Sequence, residues 1–165
     1  MDDMVKIRHR LKPGDLGLLV HLHGVLYARE HGYDRTFEAY VAEGIAEFAR
    51  SFDPGKDRIW LAEAKGRFVG CVAVVHRPGK AAQLRWLLVH PDNRGRGVGT
   101  RLLTGALRFC RARGYTRVFL WTTSELTDAA RLYTRFGFKN TEKKTHAIWG
   151  KRRTEERYDL LLRTT

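Results

Sequence analysis

Apolar residues change their spacing several times along the chain, and each change marks an element. Residues 6–11 predict a short strand, broken by Pro13-Gly14-Asp15. Leu16, Leu19, Val20, Leu22, Leu26 and Tyr27 then follow the helical period of about 3.6 residues, predicting a helix over 16–31 that His31-Gly32 closes. A second helix starts near Arg35 with Thr36 as its expected cap, and Phe37, Tyr40, Val41, Ile45 and Phe48 form its apolar stripe. After the turn Ser51-Phe52-Asp53-Pro54-Gly55, the apolar positions crowd together. Strands are predicted over 58–64 and 67–76, joined as a tight hairpin at Lys65-Gly66, and over 81–89. Helical spacing returns over 97–112, with Val98, Leu102, Leu103, Ala106 and Phe109 on one face, followed by a strand over 117–123. Thr127 is placed to cap a helix over 128–136, and strands over 138–146 and 154–162 close the chain around a basic turn at 150–153. The sum is an α/β (α+β) arrangement of about seven strands and about four helices.

At 165 residues, 43% hydrophobic and 11% aromatic, the whole chain, 1–165, is expected to be one domain with a full core. Thirty-one Lys and Arg against 18 Asp and Glu give a formal charge of +13, which favours phosphate-rich partners. Nucleic acid is one such class, but the basic residues are dispersed and no zinc-finger, RRM-like or basic-zipper signature is present, so it is not favoured. Cys71 and Cys110 are far apart, without a C-x-x-C or a histidine at metal spacing, and read as reduced core residues. His21 and His23, two apart, do not share a helix face, and no metal site is expected. The start, Met1-Asp2-Asp3-Met4, is acidic, and no run reaches the length of a membrane span, so a cytoplasmic protein without a membrane partner is expected.

The chemistry concentrates between the third strand and the third helix, at Arg94-Gly95-Arg96-Gly97-Val98-Gly99-Thr100. A helix N-terminus carries unsatisfied N–H donors and a partial positive charge, so it receives a pyrophosphate without a dedicated side chain. Gly97 and Gly99 are expected to let the backbone approach a phosphate, and Arg94 and Arg96 add charge. A Walker-type loop requires Gly-Lys followed by Ser or Thr, which is absent. A dinucleotide loop requires a third glycine at position 100, where Thr100 stands, and an acidic residue at the end of the next strand, which ends in Thr122-Thr123.

The remaining pattern, Arg94-x-x-Gly97-x-Gly99, resembles the acetyl-CoA pyrophosphate loop of the GNAT superfamily of N-acetyltransferases. Ala129-Ala130-Arg131-Leu132-Tyr133-Thr134-Arg135-Phe136-Gly137-Phe138 looks like that family's A-x-x-x-Y-x-x-x-G-F signature. The resemblance implies a GNAT fold with a mixed, mostly antiparallel sheet. Within the superfamily, His23-Gly24-x-Leu26-Tyr27-Ala28-Arg29-Glu30-x-Gly32 looks like the acetyltransferase halves of MarR-type regulator fusions, although no regulator domain accompanies it.

The resemblance implies direct transfer of an acetyl group from acetyl-CoA (coenzyme A) to an amine of a small molecule or a protein. Backbone groups of Leu87, Leu88 and Val89 are implied to hold the pantetheine arm and the thioester carbonyl. Arg94, Gly95, Arg96, Gly97, Val98, Gly99 and Thr100 are implied to take the pyrophosphate, with Ala129 and Tyr133 beside the cofactor. Tyr133 is implied to be catalytic, donating a proton to the departing thiolate. The family's frequent asparagine seven positions before this tyrosine is replaced by Leu126, leaving Thr123, Ser124 or Thr127 as substitutes. Tyr27, Glu30 and Tyr33 are expected in the acceptor wall, with His146 and Trp149 opposite. His76, Glu30 and Glu63 stand as alternative bases, His76 also as a substrate contact. A homodimer through the closing strands is also implied. The rival reading is an acyl-CoA-binding sensor of the same fold without turnover.

Overall fold

The computed structural model of the protein describes residues 4–163, so the acidic pair Asp2-Asp3 lies outside the described residues. The described elements run β1 (Lys6–Arg8), α1 (Asp15–His31), α2 (Arg35–Arg50), β2 (Arg58–Ala64), β3 (Arg67–Arg77), β4 (Ala81–Val89), α3 (Val98–Ala112), β5 (Arg117–Thr123), α4 (Thr127–Arg135), β6 (Lys139–Ile148) and β7 (Lys151–Leu161). The strands form one sheet in the order β1-β2-β3-β4-β5-β7-β6. Of its described pairings only β4 with β5 is parallel.

Side-chain alternation divides the central strands between two cores. Trp60, Ala62, Val72, Val74, Ala82, Val118 and Leu120 face α3, where Leu102, Leu103 and Ala106 are fully buried. Ile59, Leu61, Cys71 and Ala73 face the opposite way, onto Leu19 and Leu26 of α1 and Phe37, Val41, Ile45 and Phe48 of α2. The result is a sheet covered by helices on both faces. The β4–α3–β5 crossover puts the N-terminus of α3 at the carboxyl end of β4, where ligands of such sheets bind.

Boundaries differ from the sequence reading where a side chain or a turn intervenes. β1 ends at Arg8 rather than at position 11, because the Arg8 guanidinium turns to Asp15, at 2.7 and 2.8 Å, and to Glu63, at 2.7 Å. Asp34, not Thr36, caps α2: its Oδ1 accepts the Thr36 N–H at 2.9 Å. Thr127 is the first residue of α4 rather than its cap, which is Leu126. The β6–β7 turn shrinks to Trp149-Gly150, with φ of 53° and 103°, so Lys151, Arg152 and Arg153 belong to β7. Two positive φ values in a two-residue loop match the twist of paired strands.

Candidate functional site

β4 is bent where it leaves β5. Its parallel ladder with β5 runs only from Ala81↔Arg117 to Gln83↔Phe119. Against β3 the register slips between Cys71↔Leu88 and Ala73↔Arg85, so Trp86 and Leu87 together face Val72. Trp86 takes φ of 57°, a conformation rare for a bulky residue, and its carbonyl accepts the Cys71 thiol at 2.9 Å. Beyond Gln83 the backbone groups of β4 on the β5 side are therefore released from the sheet, and the two strands splay.

A cleft of about 1140 Å³ opens at this splay. Leu87, Leu88 and Val89 form one wall, α4 from Thr127 to Arg135 the other, and the turn before α3 its end. Gly95 and Gly97 sit at φ of 75° and 78°, with nothing within 4 Å of a Cβ built on either. Within the chain itself their requirement is thus conformational, since no protein atom lies where a Cβ would go. Gly99 differs: its Cβ would lie 3.3 Å from Leu132 Cδ2, so this glycine brings α3 against α4. The first intrahelical bond here runs from Arg101 N–H to the Gly97 carbonyl, at 3.0 Å, leaving the N–H groups of Val98, Gly99 and Thr100 without intrahelical acceptors.

Arg94 lines the same cleft, but its guanidinium is engaged: Nη1 and Nη2 donate to the Glu30 carboxylate at 2.6 and 2.8 Å. Each partner holds the other charged, Glu30 below the usual carboxylate range and Arg94 above its own ordinary value. Glu30 therefore ties α1 to the glycine turn.

A second, inner cavity of about 120 Å³ adjoins the cleft, sharing Tyr27, Leu87, Leu126 and Ala129 with it. Tyr133 lines the inner cavity alone, its ring packed on Phe138 and Tyr158 at 5.9 and 5.8 Å. Burial pushes its phenol upward and Tyr27 likewise. Tyr33, Phe37, Tyr40 and Trp149 form an aromatic wall, with Tyr33 stacked on Trp149 at 5.3 Å. Behind that wall Arg153, its side chain fully buried, binds Glu125 at 2.6 and 2.8 Å and lies 3.9 Å over the Tyr33 ring.

The remaining singled-out residues are distributed as follows. His76 is not brought to either cavity: at the far end of β3, it bonds the buried Asp57 carboxylate through Nδ1 at 2.7 Å. Glu63 is held by Arg8, and Arg96 is absent from the cleft lining. Thr123 Oγ1 shares a 2.6 Å hydrogen bond with the Tyr33 hydroxyl, while Thr127 faces the cleft and Ser124 neither cavity. His146 reaches the inner cavity only through Glu155, at 2.5 Å. Sequence reasoning missed His23, Arg85, Trp86, Thr122 and Glu155, all of which line the inner cavity. A signal existed for His23 alone: it falls between Leu19 and Leu26 on the apolar period of α1.

A sequence model described as the Acetyltransferase (GNAT) family matches residues 24–138. An uncharacterised N-acetyltransferase of Schizosaccharomyces pombe is 34% identical over 122 residues, covering 73% of this chain and 74% of that protein. N-acetyltransferase family 8 member 2 of Rattus norvegicus is 35% identical over 111 residues, covering 62% of this chain and 49% of that protein. The chain thus spans about half the length of that mammalian relative. Among solved structures, an N-acetyltransferase from Staphylococcus aureus Mu50 superposes with a TM-score of 0.77 at 18% identity, over 97% of this chain and 99% of that one. The ribosomal-protein-S18-alanine N-acetyltransferase of Escherichia coli does so with 0.72 at 18% identity, over 98% and 96%.

Proposed function

The chain belongs to the GNAT acetyltransferase family, and from that premise we propose that it moves an acetyl group from acetyl-CoA directly to a primary amine of a small molecule or protein. The observation that carries this reading is the junction of the two cavities at Tyr27, Leu87, Leu126 and Ala129, with Tyr133 just inside it. A cleft of about 1140 Å³ has room for a large ligand, and its end presents the free N–H groups of α3 that a pyrophosphate needs. Bound acetyl-CoA supplies an activated thioester.

The released backbone of Leu87, Leu88 and Val89 hydrogen-bonds the pantetheine arm and polarises the thioester carbonyl, stabilising the oxyanion as it forms. The shared wall holds amine and thioester together, which removes the entropy of their encounter. Tyr133 keeps its proton at neutral pH because burial raises it, and it donates that proton to the departing thiolate. The same dry surroundings make the thiolate a stronger base, as burial does for Cys71. We take the chain to act as a single domain over 1–165, in keeping with cavity linings drawn from residues 23 to 155. The buried free thiols Cys71 and Cys110 accord with a cytoplasmic location. The likeness of the His23 to Gly32 segment to MarR-fused acetyltransferases belongs to this proposal too, since that segment supplies Tyr27 to the junction.

Titration calorimetry with acetyl-CoA, desulpho-CoA and NAD tests the reading. Both CoA ligands are expected to bind, NAD is not, and Gly97→Glu is expected to weaken CoA at least about tenfold by placing charge and bulk in the turn. Because Gly97 sits at φ of 78°, Gly97→Asn, which tolerates that conformation, serves as the control and retains binding. Failure of both CoA ligands to bind, or unchanged binding by Gly97→Glu, overturns it.

A further inference from the structure

Among the described residues, three buried side-chain polar atoms have no hydrogen-bond partner: His23 Nε2, Trp86 Nε1 and Thr122 Oγ1. All three residues line the inner cavity. Each such orphan costs about 1–3 kcal/mol, and three on residues that line one cavity are explained by a ligand toward which these side chains turn when it is bound.

Their chemistry sorts them into acceptors and donors. His23 Nδ1 lies 2.8 Å from the Leu19 carbonyl, which only accepts, so Nδ1 carries the hydrogen. Burial lowers the ring to about 4, and it is neutral at physiological pH; Nε2 is therefore a bare lone pair. Thr122 Oγ1 joins it as a second acceptor. Trp86 Nε1–H can only donate. Beside it on β4, Arg85 lines the same cavity, its guanidinium stacked on Trp86 at 4.6 Å and on Tyr40 at 5.5 Å, and among the described residues no carboxylate pairs with it. The one carboxylate lining the cavity, Glu155, is already held by His146 at 2.5 Å and Lys144 at 4.0 Å, which leaves none for a second ammonium group.

Resting on the acetyltransferase reading, we propose that the inner cavity takes a small zwitterionic amine as acceptor, its nitrogen against His23 Nε2 and Thr122 Oγ1 and its carboxylate against the Arg85 guanidinium and Trp86 Nε1–H. Its volume of about 120 Å³ is close to that of a cavity holding one benzene, which limits the acceptor to a few heavy atoms beyond its two charged groups. In the transfer, the ammonium group first gives one proton to solvent through the cleft; the amine lone pair so freed forms the N–C bond to the thioester carbon and the C–S bond breaks. The sulfur takes the Tyr133 proton, and His23 Nε2 takes one proton from the nitrogen, which becomes strongly acidic once it is bonded to that carbon. The histidine proton then returns to the Tyr133 phenolate, so the products are the amide, the free thiol and the one proton released to solvent.

The test compares wild type with Arg85→Met and His23→Gln. Steady-state acetylation is measured for glycine, alanine, β-alanine and 4-aminobutyrate, for their amides, for the matching plain amines and for spermidine; acetyl-CoA binding and amine binding are measured separately by calorimetry. At least one carboxylate amine is expected to exceed its amide and its plain amine about tenfold or more in kcat/KM, because a site built for a charged hydrogen bond rejects ligands lacking it. Arg85→Met is expected to erase that preference through KM, and His23→Gln to lower kcat, both with acetyl-CoA affinity unchanged. Equal or better use of amides, plain amines or spermidine overturns the proposal, as does an unaltered preference in Arg85→Met. If acetyl-CoA itself does not bind, the acetyltransferase reading fails instead, and the loss or persistence of zwitterionic amine binding in Arg85→Met still decides this one.

Discussion

Arg153→Met removes a cation that stitches three segments behind the acceptor wall. The arginine Nη1 donates to Glu125 at 2.6 and 2.8 Å and to the His31 carbonyl at 3.3 Å, while Nε and Nη2 reach the carbonyls of Ile148 and Trp149 at 3.2 and 3.3 Å. Its side chain is wholly buried, whereas Glu125 is about a quarter exposed. Breaking a buried pair by removing one partner costs about 3–5 kcal/mol; because Glu125 can recover some water, the lower end, about 3 kcal/mol, applies here. For a domain of this size that corresponds to a fall in Tm of roughly 6–12 °C. Urea and thermal unfolding followed by circular dichroism measure it, and Arg153→Met with Glu125→Gln is expected to recover part of the loss, since the stranded charge is gone. Tyr33 and Trp149, which Arg153 supports, line the inner cavity and not the cleft, so KM for the amine rises; Glu125 and His31, which it also holds, line the cleft, so acetyl-CoA affinity falls by a smaller factor. A destabilisation below about 1 kcal/mol would refute the reasoning, because it would mean the pair and three carbonyls are dispensable.

Further outcomes follow from single groups. His23 falls from 6.5 to about 4 on burial, so the unfolded chain takes up a proton that the folded one refuses: stability is full above 6.5, declines as pH drops toward 4 and levels off below. Between pH 7.5 and 5 this amounts to about 2 kcal/mol, read as the extra loss in urea unfolding of wild type relative to His23→Leu, and an equal loss in both proteins refutes it. Tyr133→Phe is expected to lower kcat about 100-fold with acetyl-CoA binding unchanged; no acetyl transfer by either protein, with acyl-CoA binding intact in both, instead supports a sensor role. Glu30→Gln frees Arg94 for phosphate and removes a nearby negative charge. Because Arg94 is 41% exposed, stability shifts by less than about 1 kcal/mol, while acetyl-CoA affinity at low salt is expected to rise a few-fold and a weaker affinity contradicts the latch.

The parts of the site that were legible in the sequence are those made by the backbone. Gly97 and Gly99 in the α3 entry, the helical stripe behind them and the strand before them are local patterns, and local patterns survive folding. The β2–β3 hairpin was legible for the same reason: Lys65 and Gly66 take φ of 52° and 71°, as a two-residue turn demands. The β6–β7 turn was not, because a tryptophan at φ of 53° has no compositional signature; Trp149 is held there by tertiary contacts with Tyr33 and Phe37. Ionic partners were illegible altogether. Glu30 looked like a group for a cationic amine, and Arg94 like one for phosphate, until the fold placed residues 64 apart within 2.6 Å.

The inner cavity shows why acceptor specificity escapes a reading of the chain. Its lining is drawn from α1, α2, β4, β5, α4 and β7, with β4 and β5 contributing the largest shares, and the meeting of these side chains depends on the bend of β4. His23 is the sharpest case. On α1 it occupies an apolar position and pays the full cost of burial, yet its i−4 carbonyl bond fixes the tautomer and leaves the other nitrogen bare. A histidine needed only for packing would be replaced without loss by leucine; one kept for its lone pair would not. Stability and turnover should therefore move in opposite directions in His23→Leu at pH 5, the apolar side chain relieving the proton-linked penalty while the lone-pair acceptor is lost.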